Sequence, residues 1–143
     1  MKKILHPSDF SPASRPAFKK AIELAKGDRA SLELLHVMTP VTPIPEYVSP
    51  RTYDELAAAA TTAARRRIGE LVTRARAAGV RATSTIVEGS PADRIVRVAR
   101  ARRVDVIVMG THGRTGLSRF ILGSVASRVI STSPCPVLTV RGK

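Results

Sequence analysis

Short apolar runs alternate with longer segments of helical periodicity along this chain, and this alternation limits the folds that are open to it. Strands are predicted over residues 2–7, 30–37, 80–89, 104–110 and 135–141. Helices are predicted over residues 11–27, 52–78, 90–103 and 124–133. The strands are mostly apolar without strict alternation, as in strands that are covered on both faces. The order β-α-β-α-β-α-β-α-β therefore predicts an α/β fold, an open parallel five-stranded sheet with helices on both faces.

Local signals predict where the helices begin and end. Ser11 and Ser14 are the two candidate N-caps of the first helix, and Gly27 is expected to end it. Ser90 is expected to cap the third helix, where a proline follows at the first helical position. The proline-rich stretch 38–50 is predicted to be an irregular loop.

The size and composition favour a small protein without a membrane segment. The 143 residues suit one domain over 1–143, and a hydrophobic fraction of 43% suffices for a core. No stretch approaches the roughly 20 apolar residues of a membrane span, and the N-terminus has no secretory signal pattern. The single cysteine, Cys135, excludes an internal disulfide and is expected to be a small buried apolar residue. We therefore expect a cytoplasmic protein.

The formal net charge of +13 raises the question of a nucleic-acid partner. The arginines are scattered along the predicted helices, on what should be their solvent faces. Aromatic residues, which RNA-binding surfaces use for stacking, make up only 3% of the chain. The pattern therefore favours a solvated arginine-rich surface and argues against nucleic acid as the main partner.

The ends of the predicted strands indicate where a ligand would bind. In an open parallel sheet, ligands lie beyond the carboxyl ends of the strands, near the point where the strand order reverses. The segments after the first and fourth strands are expected to be neighbours there, which places Asp9 opposite a glycine-rich stretch over 110–123. A carboxylate such as that of Asp9 suits a sugar hydroxyl or a base N–H better than a phosphate.

The glycine-rich stretch has the features of an anion site. Without Cβ atoms, turns at Gly110 and Gly113 would let backbone N–H groups approach a bulky anion. Gly123 and Ser124 stand at the start of a helix, where unpaired N–H groups and the helix dipole favour negative charge. Arg114 would add a charge-assisted contact. The stretch predicts a site that fits a triphosphate, although tight turns alone would explain some of the glycines.

Other polar residues carry weaker signals. His6 and His36 fall near the ends of the first two strands and are expected to be buried and hydrogen-bonded. His112 lies inside the glycine-rich stretch, either as a ligand contact or as a plain loop residue. No third ligand stands at metal spacing, so we predict no structural metal. No serine has an evident base partner, so we predict no hydrolase triad.

The segment MGTHGRTGLSRFILGSVASRVISTSPCPVLTVR, residues 109–141, closely resembles the C-terminal third of universal stress proteins. The signature G-x2-G-x9-G-[ST] is met by Gly110, Gly113, Gly123 and Ser124. HPSDFSPAS and LELLHV also match, so the resemblance covers almost the whole chain. It implies a Rossmann-like fold of the adenine nucleotide alpha hydrolase type and, with these glycines present, ATP binding.

Carried over by position, the resemblance implies a set of binding residues. Pro7 and Asp9 would line the adenosine end, with Val37 near the adenine. Met109 and the glycine after it would support the base and ribose, and the later signature residues with Val125 would hold the phosphates. The full predicted set is Pro7, Ser8, Asp9, Val37, Met109, Gly110, His112, Gly113, Arg114, Gly123, Ser124 and Val125.

Three functions remain open at the level of sequence. The first is a regulatory protein that binds ATP, with Mg²⁺ as a candidate companion, and is read by an unknown protein partner. The second is a slow ATPase or phosphotransferase, for which Asp9 and Glu88 are the only acids placed at this edge. The third is an electrostatic binder of nucleic acid. The resemblance also implies a homodimer through the last strand, 136–141, which would cover an exposed sheet edge.

Overall fold

Strands and helices alternate along the chain, in a computed structural model that describes residues 1–40, 43–112 and 121–142. The strands are β1 (Lys3–Pro7), β2 (Ser31–Met38), β3 (Ala82–Glu88), β4 (Val106–Gly110) and β5 (Val137–Val140). The helices are α1 (Arg15–Asp28), α2 (Pro50–Ala77), α3 (Pro91–Arg102) and α4 (Ser124–Thr132). The strands form a five-stranded sheet in the order β3-β2-β1-β4-β5, and every pairing is parallel. The predicted α/β fold is confirmed.

The sheet separates two apolar cores, because successive residues of a strand point to opposite faces. Ile4 packs with residues of α1 and α2 on one face, such as Phe18 and Ile68. Its neighbour Leu5 packs with residues of α3 and α4 on the other face, such as Ile95. Burial on both sides explains why the strands are apolar without alternation.

The strand order reverses between β1 and β4, which pair in parallel with Ile4 opposite Val106. Asp105 ties the start of these strands together, because its Oδ2 accepts the N–H groups of Lys2 and Lys3 at 2.7 and 2.8 Å. These hydrogen bonds hold the pKa of the Asp105 carboxyl below its usual value. The chain leaves β1 and β4 toward opposite faces, so a crevice opens beyond their carboxyl ends.

The first helix differs from its prediction at both ends. A 3-10 turn, Pro12–Ser14, precedes α1, so Ser14 and not Ser11 takes the N-cap position of α1, without a capping hydrogen bond from its side chain. The helix runs through Gly27 and ends at Arg29, which has a left-handed backbone with φ of 55°. The prediction that Gly27 ends the helix was wrong, because the hydrogen bond from Ala30 N–H to Ala25 O at 2.9 Å fixes the turn two residues later.

The other helix ends are closer to the prediction. α2 begins at Pro50, where Ser49 Oγ accepts the Thr52 N–H at 3.1 Å, and it is followed by Gly79 in a left-handed conformation with φ of 88°. Ser90 takes the predicted N-cap position of α3 but makes no side-chain hydrogen bond there. No helix within the described ranges has the length and apolarity that crossing a bilayer requires.

Arg103, which ends α3, has a left-handed backbone with φ of 51°, a conformation that costs a side-chain-bearing residue about 1 kcal/mol relative to glycine. We expect Arg103→Gly to raise the free energy of unfolding in urea by about 0.5–1 kcal/mol. Arg100→Gly, inside the same helix at an exposed position, is the matched control and should lower it by about 1 kcal/mol. A loss of stability in both variants would contradict this interpretation.

Candidate functional site

A cavity of about 580 Å³ opens at the carboxyl ends of β2, β1 and β4, at the predicted reversal of strand order. Its walls come from the loop after β1, the end of β2, the middle of α2, the first turn of α4 and one side of α3. This is the position at which open parallel sheets bind ligands. The described lining residues are Pro7, Ser8, Asp9, Phe10, Ser14, Leu35, His36, Val37, Met38, Thr39, Ala60, Ala63, Ala64, Arg67, Pro91, Ile95, Met109, Gly110, Thr111, His112, Gly123, Ser124, Val125 and Ala126.

Most residues of the predicted site line this one cavity. They are Pro7, Ser8, Asp9, Val37, Met109, Gly110, His112, Gly123, Ser124 and Val125. The remaining two, Gly113 and Arg114, lie outside the described residues. The topology brings together three predicted segments that are far apart in sequence, but the role of each residue in binding a nucleotide stays a prediction.

The loop after β1 is fixed by its own side chains. Asp9 Oδ1 accepts the Ser11 N–H at 2.9 Å, and Ser8 Oγ accepts the Phe10 N–H at 3.1 Å. Ser8 is buried, and its Oγ lies 3.4 Å from Ser14 Oγ. Phe10 has a left-handed backbone with φ of 63°, which is uncommon for a bulky residue. The loop therefore holds the Asp9 carboxylate at the cavity in one arrangement.

The N-terminus of α4 is joined to the end of β4 by a short backbone contact. Gly123 N–H donates to Thr111 O at 2.7 Å, and a Cβ added at Gly123 would lie 2.8 Å from that oxygen. The close approach of Thr111 O therefore requires a residue without a side chain at position 123. Ser124 and Val125, the first residues of α4, line the cavity, so the helix N-terminus stands at its edge.

Sequence reasoning missed the wall that α2 contributes. Ala60, Ala63, Ala64 and Arg67 follow the spacing of one helix face, and all four line the cavity. Small side chains at helical spacing beside a single arginine were the available signal, but alanine is common throughout this helix. Phe10 was also missed, although it follows Asp9 directly.

Charge is sparse along the described lining. Asp9 is the only carboxylate and Arg67 the only guanidinium or ammonium group among those residues, and Glu88 does not belong to them. Within the described ranges, no group of three or more His, Cys, Asp or Glu side chains has the geometry to hold a metal ion. A divalent cation bound with a nucleotide would therefore find Asp9 as the one described carboxylate at the cavity.

Both strand histidines are buried and hydrogen-bonded, as predicted. The ring Nδ1 of His36 lies 2.8 Å from Ser8 O, and that of His6 lies 2.8 Å from Val108 O. Because a carbonyl oxygen only accepts, each Nδ1 carries the proton and donates it. Burial lowers the pKa of His6 to about 4, against smaller opposing effects of the Val108 carbonyl and the Asp9 charge.

The fold and the cavity define the class of protein: a doubly wound α/β domain with a ligand-sized crevice at the reversal of strand order. The model of the universal stress protein family matches residues 1–141, and the chain belongs to this family.

The relatives agree along nearly the full chain. It is 39% identical to universal stress protein MJ0531 of Methanocaldococcus jannaschii over 142 residues, 98% of this chain and 82% of that protein. A solved universal stress family protein from Burkholderia pseudomallei matches with a TM-score of 0.80 and 29% identity, covering 99% of this chain and 96% of that one. A universal stress protein solved in complex with cAMP matches with a TM-score of 0.72 and 25% identity, covering 99% and 98%.

Proposed function

We propose that this protein binds ATP in the cavity and acts as a nucleotide-dependent regulatory protein of the stress response. The observation that carries the proposal is the junction of Gly123 with Thr111, which presents the N-terminus of α4 at a cavity of about 580 Å³. Helix N-termini attract phosphate groups through their free N–H groups and their dipole.

The two ends of the cavity differ as the two ends of a nucleotide do. The β4 end has the N-terminus of α4, which begins with the small polar residue Ser124. The β2 end is formed by apolar side chains such as those of Val37 and Met38 and by the alanines of α2. Asp9 follows β1, the strand between these ends, where a ribose would lie. We infer that the base binds at the β2 end and the phosphates at the β4 end.

A relative supports the choice of an adenine nucleotide. The universal stress protein that was solved with cAMP shares the fold of this chain over nearly its whole length. The Gly110, Gly123 and Ser124 positions of the family signature stand at the cavity here, which favours a ligand with more phosphate than cAMP has.

We further propose a regulatory and not a catalytic role, exerted by a homodimer. Phosphoryl transfer requires a held metal ion and a group that orients the attacking water. Asp9 alone among the described lining residues offers a carboxylate for either task. β5 lies at the edge of the sheet with Leu138 exposed, and pairing with a second copy across a two-fold axis would cover that edge.

ATP at about 100 times its dissociation constant is expected to stabilise the fold by roughly 2.7 kcal/mol, which raises the melting temperature by about 5–10 °C. The measurement is a thermal-unfolding series with ATP, ADP, AMP and no nucleotide, on protein stripped of any ligand that copurifies. AMP should give a smaller shift, because it leaves most of the N-terminal contacts of α4 unused. If none of the three nucleotides changes the melting temperature, nucleotide binding is refuted. If light scattering with ATP present gives the mass of a monomer, the dimer is refuted.

A further inference from the structure

Three side chains from three elements form a stack on one wall of the cavity. The ring of Phe10 lies 4.2 Å from the ring of His36, with 26° between their planes. The guanidinium carbon of Arg67 lies 4.9 Å from the centre of the same Phe10 ring. His36 and Arg67 therefore both contact the Phe10 ring, His36 by stacking and Arg67 by a cation–π contact.

The stack is fixed at its centre. Arg67 Nη2 donates to Phe10 O at 3.3 Å, while the Phe10 N–H donates to Ser8 Oγ at 3.1 Å. His36 is anchored in turn by the Ser8 carbonyl at 2.8 Å. These contacts keep Phe10 in its left-handed conformation, and such strained residues cluster at functional sites.

The Arg67 side chain of this stack borders the cavity. Arg67 lines it and has an exposed side chain. One turn of α2 earlier, Ala63 and Ala64 have side chains too short to fill the space beside the guanidinium. A planar cation next to an apolar wall is a surface on which an aromatic ring stacks well.

We propose that Arg67 recognises the base of the bound nucleotide, which stacks on the guanidinium where it borders the cavity. This role rests on the nucleotide binding proposed above and adds a residue of α2 to it. The phosphates are not assigned to Arg67, because α2 packs on β2 and β3, whereas the N-terminus of α4 follows β4, and β1 lies between β4 and β2. Strands lie about 4.8 Å apart, so the two ends of the cavity are separated by about 10 Å.

The test compares the affinities of ATP, AMP and adenosine for Arg67→Met and for the unmodified chain by calorimetric titration. Arg67→Met is expected to weaken all three by the same factor, roughly 3- to 30-fold, because the lost contact is with the group that they share. Adenosine has no phosphate, so its affinity reports the contact with the base and not an attraction between Arg67 and the phosphates. A loss that grows with the number of phosphates, or no loss for adenosine, would overturn the proposal.

Two further variants separate stacking from a purely structural effect. Arg67→Lys keeps the charge and a donor for the Phe10 carbonyl but lacks the planar surface, so it is expected to stay several-fold weaker for adenosine. Full recovery of adenosine affinity in Arg67→Lys would show that Arg67 only positions Phe10, and would also overturn the proposal. Arg66→Met, an exposed neighbour that does not line the cavity, should bind all three ligands like the unmodified chain. If the unmodified chain binds none of them, nucleotide binding itself has failed.

Discussion

Gly123→Ala is expected to remove at least about half of the stabilisation by ATP and to lower the free energy of unfolding without ligand by about 1–3 kcal/mol. The new Cβ would lie 2.8 Å from Thr111 O, and this neighbour is backbone and not a side chain that can turn away. Relief requires α4 to move away from the end of β4. That movement breaks the 2.7 Å hydrogen bond between Gly123 N–H and Thr111 O.

The effect on ATP follows from the direction of this movement. Thr111 is also tied to β5, because its N–H donates to Val140 O at 3.1 Å, so the sheet side of the contact is held. The N-terminus of α4 must therefore shift, and its N–H groups then no longer point at the phosphates. Hydrogen bonds and dipole interactions of this kind depend steeply on distance and angle. We expect ATP affinity to fall at least about tenfold, which corresponds to roughly 1.4 kcal/mol.

Gly69→Ala is the matched control. Gly69 lies inside α2, and a Cβ added there has no heavy atom within 4 Å. This variant should gain about 0.5–1 kcal/mol in stability and keep the full ATP-induced shift in melting temperature. The paired measurement is thermal and urea unfolding of both variants with and without ATP. Retention of the full ATP-induced shift by Gly123→Ala would contradict the assignment of the α4 N-terminus to the phosphates.

The reversal of strand order and the α4 end of the site were predictable because their signals are local. An apolar strand followed by glycines, and a Gly-Ser pair at the start of a helix, each specify geometry within a few residues. The parallel topology then places Asp9 and Gly110 at one edge, since the first and fourth strands pair. The order of strands and helices along the chain was sufficient to predict that Asp9 and Gly110 lie at the same edge.

The α2 wall was not predictable in this way. Arg67 contacts Phe10 across 57 positions of sequence, and which turn of a 28-residue helix lies beside the cavity depends on tertiary packing.

The end of α1 was misplaced for a related reason. Glycine is enriched at the left-handed position after a helix, but here Arg29 takes that conformation while Gly27 stays helical. Hydrogen bonds to Ala25 O and the packing of β2 determine where α1 ends, and they outweigh the preference for glycine at that position.

The free energy of unfolding is expected to fall by about 3 kcal/mol through His6 alone as the pH decreases from 7.5 to 4. His6 is buried, and burial lowers its pKa from 6.5 to about 4 in the folded protein. Between these two pH values the unfolded chain takes up a proton on His6 that the folded chain does not. Stability therefore decreases as the pH falls through about 6.5 and stops decreasing through this residue below about 4.

His6→Asn isolates this contribution, because its side-chain N–H₂ retains a donor for Val108 O but cannot be protonated in this range. Urea unfolding at a series of pH values should show a slope between pH 6.5 and 4 that is smaller than that of the unmodified chain. The variant is expected to be less stable at pH 7.5, since the shorter side chain leaves part of the buried ring volume empty and its amide oxygen lies where His6 has a ring carbon. Ile107→Val, which lowers stability by about 1 kcal/mol without removing a titrating group, should keep the slope of the unmodified chain. Equal slopes for His6→Asn and the unmodified chain would mean that the folded protein accommodates a protonated His6. The hydrogen bond to Val108 O and the charge of Asp9 would then outweigh the cost of burying the charged ring.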